Sequence, residues 1–195
     1  NQLSTIPLSI SNLYDSIQNS NQQRNAFTAS VKSVSSSQLA LYVRAATSLQ
    51  EQIVELHTLL KDLYRLCFPE LDTFGLSSVE YANVVLLLKN TPKVLDSQKK
   101  SELAELLQPS TLIALSISAS SSSGASLSES DLRFCTEAAQ AILECTSIRK
   151  QLLNYVGELS NVVAPNIVAL LGDASLAAKL LASAGSLQQL AAMPA

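Results

Sequence analysis

A chain of 195 residues is long enough for one domain, or for one domain with an appendage. Its composition, 47% hydrophobic against 15% charged with a mean hydropathy of +0.23, supplies a core and excludes wholesale disorder; five Gly and six Pro exclude collagen-like, linker-like and turn-rich all-β chains. Thirteen basic and sixteen acidic residues give a net charge of −3 and a pI of ≈ 5.1, so no overall positive field holds a nucleic acid nonspecifically.

The chain opens Asn1-Gln2-Leu3-Ser4-Thr5, with neither an initiating Met nor a basic start and hydrophobic signal core, which reads as an excised piece without a secretory address. Its longest apolar runs, 84–88 and 167–171, fall far short of the roughly 18 to 20 residues of a membrane span, so the expectation is a soluble protein with no membrane partner. Cys67, Cys135 and Cys145 cannot all pair, and reduced thiols in an intracellular setting follow. Segment 1–38 is rich in Ser, Asn and Gln, yet Ile10, Leu13, Tyr14 and Ile17 fall at helical spacing. A short amphipathic helix is predicted there, with a looser one over 26–34.

From Leu39 a seam begins. Leu39, Tyr42, Ala46, Leu49, Ile53, Leu56, Leu60, Leu63 and Cys67 alternate 3 and 4 apart over four heptads, the a/d spacing of a coiled coil. Phe68-Pro69 stops it. A second series of four heptads runs Phe134, Ala138, Ala141, Cys145, Ile148, Leu152, Tyr155, Leu159, Val162. Both rods would be about 43 Å long, and their equal length predicts antiparallel pairing within one chain. The expected division is therefore 1–38 as an N-terminal helical segment, 39–67 and 132–163 as the paired helices, 68–131 as a tip insert, and 164–195 as a further helical region.

Within the insert, 79–88 is apolar with Glu80 at its start, and Pro92 follows it. The stretch 97–107 puts Leu103, Leu106 and Leu107 on one face, while 111–117 suits helix or strand equally. The Ser-rich run 116–128 reads as a mobile loop. Ser128-Glu129-Ser130-Asp131 then has capping-box spacing and marks the start of the second rod. Ala164-Pro165-Asn166 breaks that rod, since Pro165 removes a donor and is tolerated only in the first turn of a new helix. Beyond it Gly172 and Gly185 punctuate short small-residue helices.

Catalysis finds little to work with. His57 is the single His, mid-rod beside Leu56, and is expected to be solvated or at the edge of the seam. No C-x-x-C and no His at zinc-ligand spacing accompany the three Cys, and Cys67 and Cys145 occupy seam positions where thiols act as small hydrophobes. Glu55 with Asp62 and Glu102 with Glu105 read as solvated helix faces, and Lys99-Lys100 is too short for a nucleic-acid stripe. The residues alone describe a helical interaction module, not an enzyme, with no catalytic, cofactor or metal site and no small-molecule substrate.

The last third is more specific. Ser160 through Ile167 with Ala164-Pro165-Asn166, then Gly172, Ala177-Ala178-Lys179, Ala184-Gly185-Ser186-Leu187 and Met193-Pro194-Ala195, resembles the opening of a Nop domain. That domain belongs to ribonucleoprotein scaffolds, chiefly the spliceosomal pre-mRNA-processing factor 31 family and the nucleolar proteins 56 and 58. Segment 10–16, the sequence Arg65-Leu66-Cys67-Phe68-Pro69-Glu70-Leu71 and the 116–129 loop resemble the first of these, as do Ala177-Ala178-Lys179 and Met193-Pro194-Ala195. Tyr14 stands where that family tends to have Trp, and Ala192 where it usually has Lys.

The resemblance implies an all-α fold: a long antiparallel coiled coil with a helical tip, followed by the start of a helical Nop domain that is incomplete at Ala195. It implies a nuclear splicing scaffold whose partners are U4 small nuclear RNA, a small kink-turn-binding protein, and U4/U6 and U5 particle proteins. It carries RNA or partner contact onto Lys179, Gly185, Ser186, Met193 and Pro194. The other readings are a box C/D small nucleolar scaffold and a plain coiled-coil adaptor. Three basic and two acidic residues from Arg149 onward lend RNA contact only weak electrostatic support.

Overall fold

The computed structural model describes residues 36–91 and 96–193. The helices predicted over 10–17 and 26–34 lie outside the described residues, as do Pro92, Pro194 and Ala195. Every regular element described is helical, so the all-α class expected from the periodicities is the one found. The elements are α1 (Ser36–Tyr64), a 3₁₀ turn (Pro69–Phe74), α2 (Ser78–Leu88), α3 (Ser97–Leu106), α4 (Pro109–Ser121), α5 (Glu129–Val163), α6 (Pro165–Leu171), α7 (Ala174–Ala184) and α8 (Leu187–Ala192). The described residues form two compact units, one within 36–50 and 147–193 and one within 51–146, and α1 and α5 each contribute a part to both.

In the first unit the beginning of α1 packs against the end of α5. Leu39, Val43, Val156, Leu159, Ala164, Ala178 and Leu181 form its buried cluster, with Tyr42, Tyr155, Ile167 and Leu190 packed around it. Tyr42 and Tyr155 meet edge to face at 5.3 Å, the geometry that sets a positive ring edge on a negative face. Pro165 occupies the first turn of α6 after Ala164 takes a non-helical conformation, as the Pro rule predicts. Gly172 (φ +71°) ends α6 in the left-handed region, where a side chain is strained.

The second unit encloses α2, α3 and α4. Helix α1 ends at Tyr64 and its last turn tightens through Cys67 N–H to Tyr64 C=O (2.9 Å), so the regular helix stops three residues short of the expected Cys67. Ser77 and Glu80 form a complete capping box, with the Ser77 amide donating to Glu80 Oε2 at 2.8 Å and the Glu80 amide to Ser77 Oγ at 3.3 Å. The Ser77 hydrogen bonds hold the Glu80 carboxyl below its usual range. Helix α2 buries Tyr81, Ala82, Val84, Val85 and Leu88, covering most of its circumference, as befits a central helix.

Several expectations are corrected. The Ser-rich run is not a loop from 116: α4 continues to Ser121, which also settles 111–117 as helix. The hydroxyls of Ser116, Ser120 and Ser121 donate to carbonyls three or four residues back, so the serines bond along the helix instead of breaking it. The segment after it is tied to distant residues. Ser122 Oγ donates to Glu70 Oε2 (2.8 Å), the Ala125 amide to Leu66 C=O (3.0 Å), and Asn90 brackets Leu127 with two bonds of 3.0 Å. Gly124 lies so close that a Cβ would fall on the Cys67 carbonyl.

Leu103 and Leu107 are buried, but Leu106 is 40% exposed and does not share their face. Helix α5 begins at Glu129, directly after the Ser128 cap that the sequence marked and three residues before the 132 bound given to the rod, with Ser128 Oγ accepting from the Asp131 amide at 3.2 Å. Its buried stripe runs through Cys135, Ile142 and Val156, one residue beyond the seam positions Phe134, Ala141 and Tyr155, which are half-buried; Val162 is 50% exposed. A 3.5-residue count drifts against a straight 3.6-residue helix, and the packing follows the helix.

Candidate functional site

Most of the seam residues are core. Leu49, Ile53, Leu60, Cys145, Ile148, Leu152 and Leu159 are buried, while Leu56, Leu63 and Tyr155 are half-buried. The thiols of Cys67, Cys135 and Cys145 are free, and burial pushes all three up, Cys135 to about 11. A buried, protonated thiol is a poor nucleophile or metal ligand.

His57 is half-buried beside Leu56, the edge-of-seam arm of the expectation and not the solvated one. Its ring stands edge-on to Tyr81 at 5.2 Å, and its Nε2 is buried without a hydrogen-bond partner. Burial, then nearby Lys61, lower its pKa, with Asp72 opposing, so the imidazole is neutral at neutral pH. Lys61 Nζ lies 5.6 Å from the Tyr81 ring centre, and the Tyr64 hydroxyl donates to Lys89 C=O at 2.8 Å. Among the described residues no activated nucleophile faces the imidazole, which packs against the buried Tyr81 from the edge of the core.

The residues expected to touch RNA or partner lie in the first unit. Asp173 caps α7, its Oδ1 accepting from the Ser175 amide (2.7 Å) and more weakly from Leu176 (3.4 Å). Lys179 is exposed on α7. Gly185 (φ +85°) makes the turn into α8, where a Cβ would also meet the flexible end of Gln189. Ser186 caps α8 by accepting from the Gln189 amide (3.1 Å), and Met193 is 52% exposed. Pro194 lies outside the described residues. Ala164 is buried at the α5–α6 junction, with Pro165 and Asn166 exposed beside it. Gly185 and Ser186 thus have local reasons to be what they are, while Lys179 has no such structural partner.

Lys179 does have a neighbour that the sequence reading left out. A groove of about 190 Å³ is lined by Thr47 and Gln50 of α1, Arg149 and Leu153 of α5, and Ser175 and Lys179 of α7. It brings two cations together from elements 30 residues apart in the chain. The only signal in the sequence was Arg149 itself, a charge directly after the buried seam residue Ile148.

Every regular element among the described residues is helical, and the last third combines the Ala-Pro-Asn helix break with the Ala-Gly-Ser-Leu turn. A family model described as "Nop: snoRNA binding domain, fibrillarin" matches residues 45–195. The chain is 34% identical over 150 residues to the U4/U6 small nuclear ribonucleoprotein Prp31 homolog of Arabidopsis thaliana, covering 77% of this chain and 30% of that protein. It is 32% identical over 148 residues to U4/U6 small nuclear ribonucleoprotein Prp31 of Homo sapiens, covering 75% and 29%. To nucleolar protein 58 of Lodderomyces elongisporus it is 33% identical over 135 residues, covering 69% and 25%. The chain belongs to the Nop family, in the group that includes the pre-mRNA-processing factor 31 proteins. It spans under a third of the length of these curated relatives.

Proposed function

We propose that this chain is part of a nuclear pre-mRNA splicing scaffold that binds U4 small nuclear RNA already carrying a small kink-turn-binding protein, and that helps join U4/U6 to U5 particle proteins. The observation that carries the reading is the Nop match over residues 45–195 together with relatives named as U4/U6 ribonucleoproteins. In this reading 39–67 and 132–163 form a coiled-coil arm, 68–131 its tip, and 164–195 the start of the recognition domain, with Lys179, Gly185, Ser186, Met193 and Pro194 on or near the surface that meets RNA and protein. Binding is by shape and charge, without a chemical step. Similarity to nucleolar protein 58 and the family model's description favour a second reading, a box C/D small nucleolar scaffold.

A gel-shift titration against the U4 5′ stem-loop and a box C/D RNA, each with and without the kink-turn protein, separates the two. A supershift of the protein-bound U4 RNA alone is expected. A supershift of the box C/D complex alone selects the second reading, and none on either RNA overturns both.

A further inference from the structure

We propose that the groove between α1, α5 and α7 seats a backbone phosphate of the bound RNA, clamped between Arg149 and Lys179. The inference rests on the RNA-binding reading above and adds the residues and the ligand chemistry. Arg149 is a permanent cation whose Nε is buried and has no hydrogen-bond partner, and an N–H of that kind calls for an acceptor. Lys179 lines the same groove from α7, and among the described residues neither cation makes an ion pair. Among the described residues no carboxylate lines the groove. Glu51, next to Gln50, and Glu158, two residues after Val156, are not among its lining residues, and Asp173, two residues before Ser175, is occupied by the Ser175 and Leu176 amides.

Further donors stand ready. Gln50 contributes a side-chain amide and Ser175 a hydroxyl, whereas the Thr47 hydroxyl already donates to Val43 C=O at 3.0 Å. At about 190 Å³ the space is smaller than the roughly 300 to 1,000 Å³ that encloses a whole small molecule, but several times a water's share of about 30 Å³. That size suits one anionic group of a larger ligand. Leu153 and Val156 form apolar walls, which lower the local dielectric and strengthen a charge-assisted contact. The surroundings match: among the described residues, 36–50 and 147–193 hold four basic and two acidic side chains, +2, in a chain whose net charge is −3.

The test measures binding of the full chain to the U4 stem-loop with its kink-turn protein across a salt series. Wild type is compared with Lys179→Gln, an exposed helix substitution that leaves the fold intact, and with Arg149→Gln/Lys179→Gln. Losing one phosphate contact lowers the slope of log Kobs against log salt by about one. It should weaken binding roughly tenfold in the double variant. Unchanged slope and affinity, in a chain that does bind, overturn the groove and leave the RNA reading standing.

Failure of the wild type to bind either RNA overturns the RNA reading instead, and the groove is then judged by itself. In a ¹⁵N spectrum the Arg149 Nε–H signal, assigned by its loss in Arg149→Lys, should move with inorganic phosphate and not with equal chloride. A signal that stays still overturns the anion site, whereas movement supports it.

Discussion

The two units differ in charge and in what they do with polar groups. Among the described residues, 51–146 hold six basic and thirteen acidic side chains, −7, against four basic and two acidic, +2, for 36–50 and 147–193. The acidic unit turns much of its polar chemistry inward: Ser122 on Glu70, Asn90 on Leu127, Tyr64 on Lys89. The basic unit leaves Arg149 and Lys179 without such partners beside a groove. A polyanion is attracted to the second kind of surface and repelled by the first. A net charge of −3 therefore averages over two regions of opposite sign, which is why the whole-chain value says little about RNA.

The comparison can be broken at the core. Leu181→Ala removes a fully buried side chain from the first unit's cluster, and a loss of about 2–5 kcal/mol is expected in chemical denaturation. If the units open separately, hydrogen exchange will quicken in 147–193 well before 51–146. Equal quickening in both would mean that they unfold as one.

In the acidic unit, Asn90→Ala leaves the Leu127 N–H and C=O without their side-chain partner and should cost about 2 kcal/mol, read as a lower denaturation midpoint. Protease cleavage in 122–128 should rise with it. A run of serines that stays protected in the variant would mean that the Ser122 and Ala125 bonds suffice.

Gly185→Ala tests whether the glycine is there for its backbone. A Cβ at φ +85° should cost about 1–2 kcal/mol in thermal melts. A large loss of RNA binding with no change in melting would instead assign Gly185 to the interface.

The smallest effect concerns His57. Its folded pKa lies below the ordinary histidine value of about 6.5, so the unfolded chain binds the proton more readily in that window. Stability should fall as pH drops below about 6.5 and level off once the pH passes the folded pKa. His57→Gln should remove that component of the slope, measured by denaturation between pH 5 and 7. A difference of the opposite sign between wild type and His57→Gln would refute a neutral imidazole with a buried Nε2.

Much of this was legible from short-range pattern. The α1 seam, the helix start at Ser128, the break at Pro165 and the turn at Gly185 each depend on residues within a few positions, because helix periodicity, capping and a proline's missing donor act over about one turn. The same pattern misled where distant residues competed. A serine run looks like a loop until its hydroxyls have helix carbonyls to bond. Val162 looks like seam until α5 has packed through Leu159 and Ser160. Leu106 looks like core until α3 commits Leu103 and Leu107.

The sequence by itself determined the helical class, the two long apolar helices and the Ala-Pro-Asn and Ala-Gly-Ser-Leu features that place the chain in the Nop family. Tertiary structure alone decided which neighbours each charge acquires. Thr47, Arg149 and Lys179 are far apart in the chain and meet only because α1, α5 and α7 bury their apolar faces together. Hydrophobic burial is non-directional, so it pulls whole faces together, and the polar atoms carried along with them then make up the site.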